Sequence, residues 1–426
     1  MGDGTGISFA DILSMFMESE HWPHEDMLAF QRSQLEQLLR HARANVPFYK
    51  TRLNCMFRGD DSVDWDRWTD IPVLTRKEVQ TNIEDLWARN LPPGHGPWKE
   101  FATSGTTGYP VRVRVPAITT LVGNAAWKRL YRRHGIADDA RFVFIRGLDG
   151  SEEQDSSSAS TDNTQPRPQM SYLSRHLSPE QKLDFLYRSQ PDVLIDIPNP
   201  IEILSRKNLR RSQRVSVKHI VAYGASISAE QLALFQESFS ATVVSAYSTK
   251  EAGVIAGQCP HGDAFHVNEE VAYLEPGFSG AADVIVTPLF QTAQPFIRYQ
   301  QSDKVHMTRG CTCGFRHLTI TQIDGRSEPI FRFPDGRERA AFATGLYKTA
   351  FHAFCIAYQV AQVAPLALEV RYVADRPATA EEELSMASAL HFELHPDASI
   401  TFRKVDEIPT NKGGKQLRFA REFDMP

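Results

Sequence analysis

Apolar and polar positions alternate along this chain in runs that predict a scaffold of helices and strands, broken by a few stretches that are neither. Leu28, Leu35, Leu38, Leu39 and Ala42 recur at a spacing that predicts a helix with one buried face, stopped at Asn45-Val46-Pro47. Thr75 predicts the N-cap of a helix leading toward Trp87. Val111 to Val115 alternates strictly and predicts a half-exposed strand. A helix through Trp127 to His134 and an apolar strand from Phe142 to Ile145 follow. Ser178, Pro179 and Gln181 make a capping box for a helix through Tyr187. Next come a strand Val193 to Ile195 ended by Pro198 and Pro200, a strand Val215 to Val221 running into Gly224-Ala225-Ser226, a helix from Ala229, and a strand Thr242 to Val244. This alternation of strand and helix predicts an α/β sheet, whose ligands gather at the carboxyl ends of strands, where Gly224 to Ser226 and Ala246-Tyr247 fall. It continues through Val284 to Val286 toward Pro295 to Lys304, where Arg298 and Asp303 read as a solvated edge.

Ser151 to Pro168 holds no apolar residue but Ala159 and reads as a mobile surface excursion. Ile323 to Pro329 has the punctuation of a linker. Beyond it a helix (Ala341 to Phe354), strands (Tyr358 to Val363, Ala367 to Val373), a helix (Thr379 to Leu390) and a strand (Ser399 to Val405) suggest a second unit. The expected architecture is α/β: a large N-terminal domain over 1–327, with mixed sheets flanked by helices, and a small α+β domain over 328–426.

At 426 residues the chain has ample apolar surface for such cores. The net charge of −5 is dispersed, and no basic run marks a nucleic-acid or membrane surface, so small molecules are the expected partners. No apolar run approaches a membrane span and Met1 to Gly6 has no signal-peptide character, so a cytoplasmic protein is expected. The cysteines number five and are scattered except for one Cys-x-Cys, which argues against a disulfide framework.

Two stretches carry chemistry. Ser104-Gly105-Thr106-Thr107-Gly108 makes poor helix and poor strand, but its glycines let successive N–H groups point into one concavity edged by hydroxyls, a cradle for a polyphosphate. Tyr109 and Pro110 follow the last glycine where a P-loop would have lysine and a hydroxyl residue, so the Walker-type reading fails. Cys259-Pro260-His261 to His266, with Cys311-Thr312-Cys313, offers thiol and imidazole ligands suited to a tetrahedral structural zinc. The set chosen is Cys259, His266, Cys311 and Cys313, with His261 as the alternative imidazole.

Taken in order, Thr103 to Pro110, Ala246-Tyr-Ser-Thr-Lys-Glu251, Arg298-Tyr-Gln-Gln-Ser-Asp303, Gly325-Arg326 and Gly414-Lys415 resemble the motifs of the adenylate-forming, acyl-CoA synthetase-like superfamily. Leu38 to Tyr49 and the Cys/His pattern are most similar to its phenylacetate–CoA ligase and CapK-like branch, and the resemblance spans essentially the whole chain. It implies that ATP and a carboxylic acid give acyl-AMP and pyrophosphate, and that the acyl group then passes to the thiol of CoA, or to an amine, alcohol or carrier protein. It implies that Ser104 to Gly108 hold the β/γ-phosphates, that Gly224, Ala225, Ser226 and Ala246 to Ser248, with Tyr247, line the adenine, and that Glu251 binds Mg²⁺. Asp303 would hold the ribose hydroxyls and Arg326 the ribose-phosphate side. Lys415, on a mobile C-terminal domain, would act on the acyl phosphate. Catalysis is thus expected of Lys415, Glu251 and Arg326. The chain departs from the pattern at Lys250, where Thr or Ser precedes the glutamate, and at Ser327-Glu328-Pro329, where proline stiffens the expected hinge. These departures keep open a nucleotide-binding relative without turnover. The acid, expected to be aromatic or small and hydrophobic, and the oligomeric state are not legible.

Overall fold

A computed structural model describes residues 8–102, 112–146, 154–156, 169–175, 177–275, 282–324, 330–340, 346, 349–355, 357–408 and 419–422. The chain divides into two compact units: Met1–Thr103, Val111–Ala137 and Val244–Arg326 form one, and Ser104–Pro110, Asp138–Val243 and Ser327–Pro426 the other.

In the first unit the helix expected from the leucine spacing spans His24–Asn45 and buries Leu35, Leu38, Leu39 and Ala42. They join Tyr247, Ile255, Val286, Ile297 and Ile320 in one core. Those partners, apart from Ile297, lie on a series of antiparallel strands ordered Ala272–Leu274, Ala282–Pro288, Tyr299–Arg309, Leu318–Asp324, Phe265–Val267, Gly253–Gln258 and Thr242–Thr249. The alternating run near Val111 is the strand Arg112–Pro116, paired antiparallel with Trp98–Ala102, which the sequence reading did not foresee. Arg298 is no solvated edge. It is 6% exposed, its φ is +53°, and its guanidinium grips both carboxylate oxygens of Glu275 while donating to the carbonyls of Thr69 and Ile71. Packing compensates a backbone conformation that a bulky residue seldom adopts.

In the second unit the strands His219–Tyr223, Val193–Asp196, Arg141–Arg146 and Gln169–Ser174 lie parallel in that order, with Gln154–Ser156 antiparallel at the edge. That last strand falls inside the polar stretch expected to be a mobile excursion, whose other residues except these three lie outside the described ones. The helices Pro179–Ser189 and Ala229–Phe239 both open on capping boxes, from Ser178 with Gln181 and from Ser228 with Gln231. The strand Val193–Asp196 ends before Pro198, as expected, and Pro198 occupies the first turn of the helix Pro198–Leu209, where its missing N–H costs nothing. One expectation needs correction. Val215 and Val217 are buried but precede the strand, which begins only at His219.

The last hundred residues carry their own sheet, ordered Ser399–Lys404, Ala367–Val373, Ala357–Ala364 and Phe419–Arg421, with the helix Ala380–Glu393 and a core around Phe351, Tyr358, Val370 and Leu390. Of the helix expected over 341–354 only Ala350–Phe354 is described. Mixed sheets flanked by helices, followed by a smaller α+β portion, is therefore the observed fold class. Among the described residues no helix is long and apolar enough to cross a membrane.

A buried ionic network ties the helix Phe9–Ser19 to the first unit. Arg129, on the helix Ala117–Arg133, pairs with both oxygens of Glu270 at 2.6 and 3.0 Å and donates to Asn268 Oδ1 at 2.6 Å and to the Phe16 carbonyl at 2.8 Å. Ser19 Oγ donates to Glu270, and His317 Nε2 bonds the Ser19 carbonyl at 2.7 Å. Burial opposes ionisation of Glu270, but Arg129 and His317 outweigh it and hold the carboxyl down at about 2. Glu270→Ala strands a buried guanidinium and is expected to cost about 3–5 kcal/mol of unfolding free energy, measured by urea denaturation. Because the folded pKa lies below the unfolded value of about 4.3, this contribution is full above that pH and lost as pH falls toward about 2. Glu270→Gln is therefore expected to flatten that acid limb of the stability–pH curve.

Candidate active site and metal centre

Glu251 sits in the tight turn between the strands Thr242–Thr249 and Gly253–Gln258, which pair from Ala246↔Gly257 to Thr249↔Gly253. Gly253 closes that turn at φ +69°, a conformation open to glycine, and Thr249 Oγ1 accepts from the Ala252 N–H at 3.1 Å. The Glu251 carboxylate is buried, with Arg76 at 3.8 Å. Burial raises its pKa; Arg76 and, more weakly, Lys250 pull it back, and Asp303 pushes it up again. A carboxylate so enclosed gains most from a cation placed against it, which suits an Mg²⁺ ligand. Lys250, the departure noted above, thus acts electrostatically on Glu251.

Asp303 lies on the strand Tyr299–Arg309 and accepts from Tyr247 Oη at 3.2 Å. The same hydroxyl reaches Gln301 Oε1 at 3.4 Å, and Gln301 in turn donates to Thr249 Oγ1 at 3.1 Å. Burial and the neighbouring Asp303 carboxylate push the Tyr247 phenol well above its ordinary range, so it remains a donor. Tyr247, Glu251 and Asp303 are therefore one polar group. The member the sequence reading missed is Arg76, in the first turn of the helix Arg76–Thr81, which the expected Thr75 cap opens. A cation is opposed by the dipole at a helix start, and Arg76-Lys77 there was the available signal.

The four sulfur and nitrogen ligands converge. Atoms of Cys259, His266, Cys311 and Cys313 all lie within 4.8 Å of one another, with Cys259 Sγ to Cys311 Sγ at 3.9 Å and Cys313 Sγ to His266 Nε2 at 3.4 Å. Two hairpin turns bring them together. One runs from Cys259, whose N–H meets the Ala264 carbonyl at 2.7 Å, to His266 on the strand Phe265–Val267. The other, from Gly310 to Phe315, turns on two glycines with φ of +77° and +94°. His261 contributes its backbone N–H to Cys259 Sγ at 3.4 Å, and its side chain is outside the cluster.

Burial pushes the Cys259 thiol up to about 11. Burial also opposes ionisation of Cys311, but the Cys313 amide and neighbouring thiols outweigh it and draw that thiol down. Burial, with Arg133 and Arg129, holds His266 down at about 3, which keeps the ring neutral as a metal ligand must be. Arg133 donates to His266 Nδ1, leaving Nε2 toward the thiols, and lies 4.2 Å over Phe315, which stacks on the imidazole at 4.1 Å. Three thiolates and one imidazole around Zn²⁺ leave one net negative charge, and Arg133 stands where it offsets that charge. The donor set fits a closed, structural zinc.

The remaining expected residues stand elsewhere. Gly224, with φ +76°, Ala225 and Ser226 follow the strand His219–Tyr223 in the second unit. Ala246 and Ser248 flank Tyr247 on its strand. Ser104 to Gly108, Arg326, Pro329 and Lys415 lie outside the described residues.

No protein-family model and no curated protein matches the sequence. Solved structures match in fold. A 2-hydroxyisobutyryl-CoA ligase in complex with 2-HIB-AMP and CoA, in its thioesterification state, aligns with a TM-score of 0.60 at 15% identity, covering 95% of this chain and 92% of that chain. The same ligase in its postadenylation state with 2-HIB-AMP aligns at 0.55 and 14% identity, again over 95% and 92%. Its open conformation aligns at 0.53 and 14%, over 92% and 90%. At such identities the likeness is one of architecture, and over nearly its whole length this chain has the fold of the adenylate-forming acyl-CoA ligases.

Proposed function

We propose that this protein activates a carboxylic acid with ATP and transfers the acyl group to CoA. The observation that carries this reading is the convergence of Tyr247, Glu251 and Asp303 in a chain with that ligase fold. In the first step a carboxylate oxygen attacks the α-phosphorus of ATP, a phosphorus–oxygen bond breaks, and pyrophosphate leaves. In the second the CoA thiol, losing its proton, attacks the acyl carbon and AMP departs.

Ser104, Gly105, Thr106, Thr107 and Gly108 are the proposed holders of the β/γ-phosphates, Gly224 to Ser226 and Ala246 to Ser248 of the adenine, and Asp303 of the ribose hydroxyls, with Arg326 on the ribose-phosphate side. Glu251 is the proposed Mg²⁺ ligand, and the bound ion would neutralise charge on the phosphates. Arg76, 3.8 Å from Glu251, partly offsets the burial that raises the pKa of that carboxylate. Lys415, in a C-terminal domain beginning at 328, would meet charge developing on the acyl phosphate. The zinc proposed at Cys259, His266, Cys311 and Cys313 is structural, and the location is cytoplasmic. Transfer to an amine, alcohol or carrier protein, and nucleotide binding without turnover, are the competing readings.

Pyrophosphate release with a panel of acids, with and without CoA, separates the three. Release that yields a CoA thioester is expected; release without thioester would favour another acceptor, and no release with any acid would favour the inactive relative. Lys415→Ala is expected to slow adenylation by roughly 100-fold or more while nucleotide affinity stays nearly unchanged; an equal loss of both would overturn its role. Protein purified without chelator is expected to contain about one zinc per chain by elemental analysis, and Cys311→Ser to lose the metal and melt at a lower temperature. A zinc-free protein whose Cys311→Ser variant is as stable as the parent would show that these are ordinary thiols.

A further inference from the structure

The four parallel strands of the second unit stand across the sheet in the order second, first, third, fourth along the chain: Gln169–Ser174, Arg141–Arg146, Val193–Asp196, His219–Tyr223. The order reverses between the first and third strands. At such a switch point the loops beyond the carboxyl ends diverge and leave a crevice, where ligands of open α/β sheets bind. The residues ending the strands there are Arg146 and Asp196, with Arg175 just past the second strand and Tyr223 ending the fourth.

Alternation sorts their side chains by face. Val143, Ile145, Leu173, Leu194 and Ile220 pack with the helices in one apolar core. Phe144, Arg146, Tyr172 and Tyr223 belong to the opposite face and are only partly buried. The Phe144 ring lies 6.1 Å from Tyr172 and 5.9 Å from Tyr223, and the Arg146 guanidinium lies 3.6 Å over Tyr172. This is an aromatic cluster, its rings inclined to Phe144 by 51° and 62°, with a cation at its carboxyl-terminal edge.

Among the described residues the charges at that edge do not balance. Asp196 is fully buried; its Oδ1 is engaged by Arg175 at 2.8 Å, and its Oδ2 meets no hydrogen-bond partner among the described residues. Lys182 donates to the Arg175 carbonyl at 2.7 Å; burial lowers its pKa to about 8, against the pull of Asp196, so it is still mainly charged at neutral pH. Arg146 is a further cation: its Nε is sealed from solvent and meets no hydrogen-bond partner among the described residues. A buried guanidinium donor left over beside aromatic rings is costly unless a ligand completes it.

We propose that the acid this protein activates carries a second anionic group, carboxylate or phosphate, on an apolar body, and that Arg146 receives that group at the switch point. This rests on the acid-activation reading above. A planar guanidinium matches either oxyanion bidentately, while the inclined rings of Phe144 and Tyr223 offer the apolar body a contact. Arg146 would thereby select diacids over monoacids without touching the reacting carboxylate.

The test uses the full-length protein and matched aromatic probes: phenylacetate as the monoacid, homophthalate as the diacid, and 2-phosphonophenylacetate as the phosphate analogue. Binding is measured calorimetrically without ATP, then pyrophosphate release with ATP. The parent is expected to bind one of the dianions roughly 10–100-fold more tightly than phenylacetate, as one charge-assisted pair provides. In Arg146→Leu that preference is expected to fall to about twofold, with ATP affinity unchanged, and Arg146→Lys to restore part of it. Which dianion leads distinguishes carboxylate from phosphate. Equal binding of all three probes by the parent, or a preference that survives Arg146→Leu, overturns the inference. A dianion preference lost in Arg146→Leu without pyrophosphate release from any acid sustains the anion site and sinks the ligase reading. Turnover of monoacids alone, indifferent to Arg146, does the reverse.

Discussion

The register of one hairpin governs both chemical centres of the first unit. The strand Gly253–Gln258 begins beside Glu251 and ends at Cys259, and its pairing with Thr242–Thr249 and Phe265–Val267 places Ala246 opposite Gly257 and His266 opposite the same glycine. Strand side chains alternate, so a slip of one residue would turn Tyr247 away from Asp303 and His266 away from the thiols. Gly257 also lets a neighbour come close: a Cβ there would meet Leu130 at 2.8 Å. The strand Tyr299–Arg309 repeats this economy, carrying Asp303 in its course and leading into the turn that bears Cys311 and Cys313. A metal at that turn would clamp the same strands whose other parts carry the carboxylates.

Buried arginine–carboxylate pairs hold the surrounding elements to those strands. Arg129 with Glu270, Arg298 with Glu275 and Arg133 with Glu20 each join segments distant in sequence, and each arginine has further acceptors for its remaining N–H groups. Such pairs gain little net energy over apolar packing, because removing both charges from water is expensive. What they impose is geometry: a guanidinium fork satisfied on several sides admits few alternative arrangements. Arg133 links this framework to the metal centre, with Glu20 on one side and the His266 ring on the other.

Electrostatics also separates the two centres by kind. Glu251 offers a hard oxygen donor whose burial raises its pKa, whereas the Cys259 cluster is a soft, crowded set with a neutral imidazole. Hard and soft donors sort different metals, so the Mg²⁺ and Zn²⁺ proposed for the two ends of this short stretch of sheet would not compete. In the second unit, among the described residues, cations outnumber the one carboxylate at the strand ends, which is the basis of the anion site proposed at Arg146.

Features set by neighbours in sequence were determined by the chain alone. The caps at Thr75 and Ser178 appear where their hydroxyls stand three residues before Glu78 and Gln181, because a capping box is closed by local hydrogen bonds. The leucine-spaced helix and the strand Ala367–Val373 follow from periodicity for the same reason. The Cys/His cluster was legible because thiols and imidazole in short spans have few other uses: Cys259, His266, Cys311 and Cys313 were chosen from the sequence with His261 as the alternative, and the fold brings those four together. Tertiary structure alone decided the rest. Arg76 meets Glu251, Arg298 is buried on Glu275, and Arg146 lies over Tyr172 through contacts between segments far apart in the chain. Strand order, which makes the ends of Arg141–Arg146 and Val193–Asp196 a switch point, is likewise absent from any local pattern. Periodicity tells a strand which face to bury, and only the competition among all possible pairings tells it which strand to lie beside.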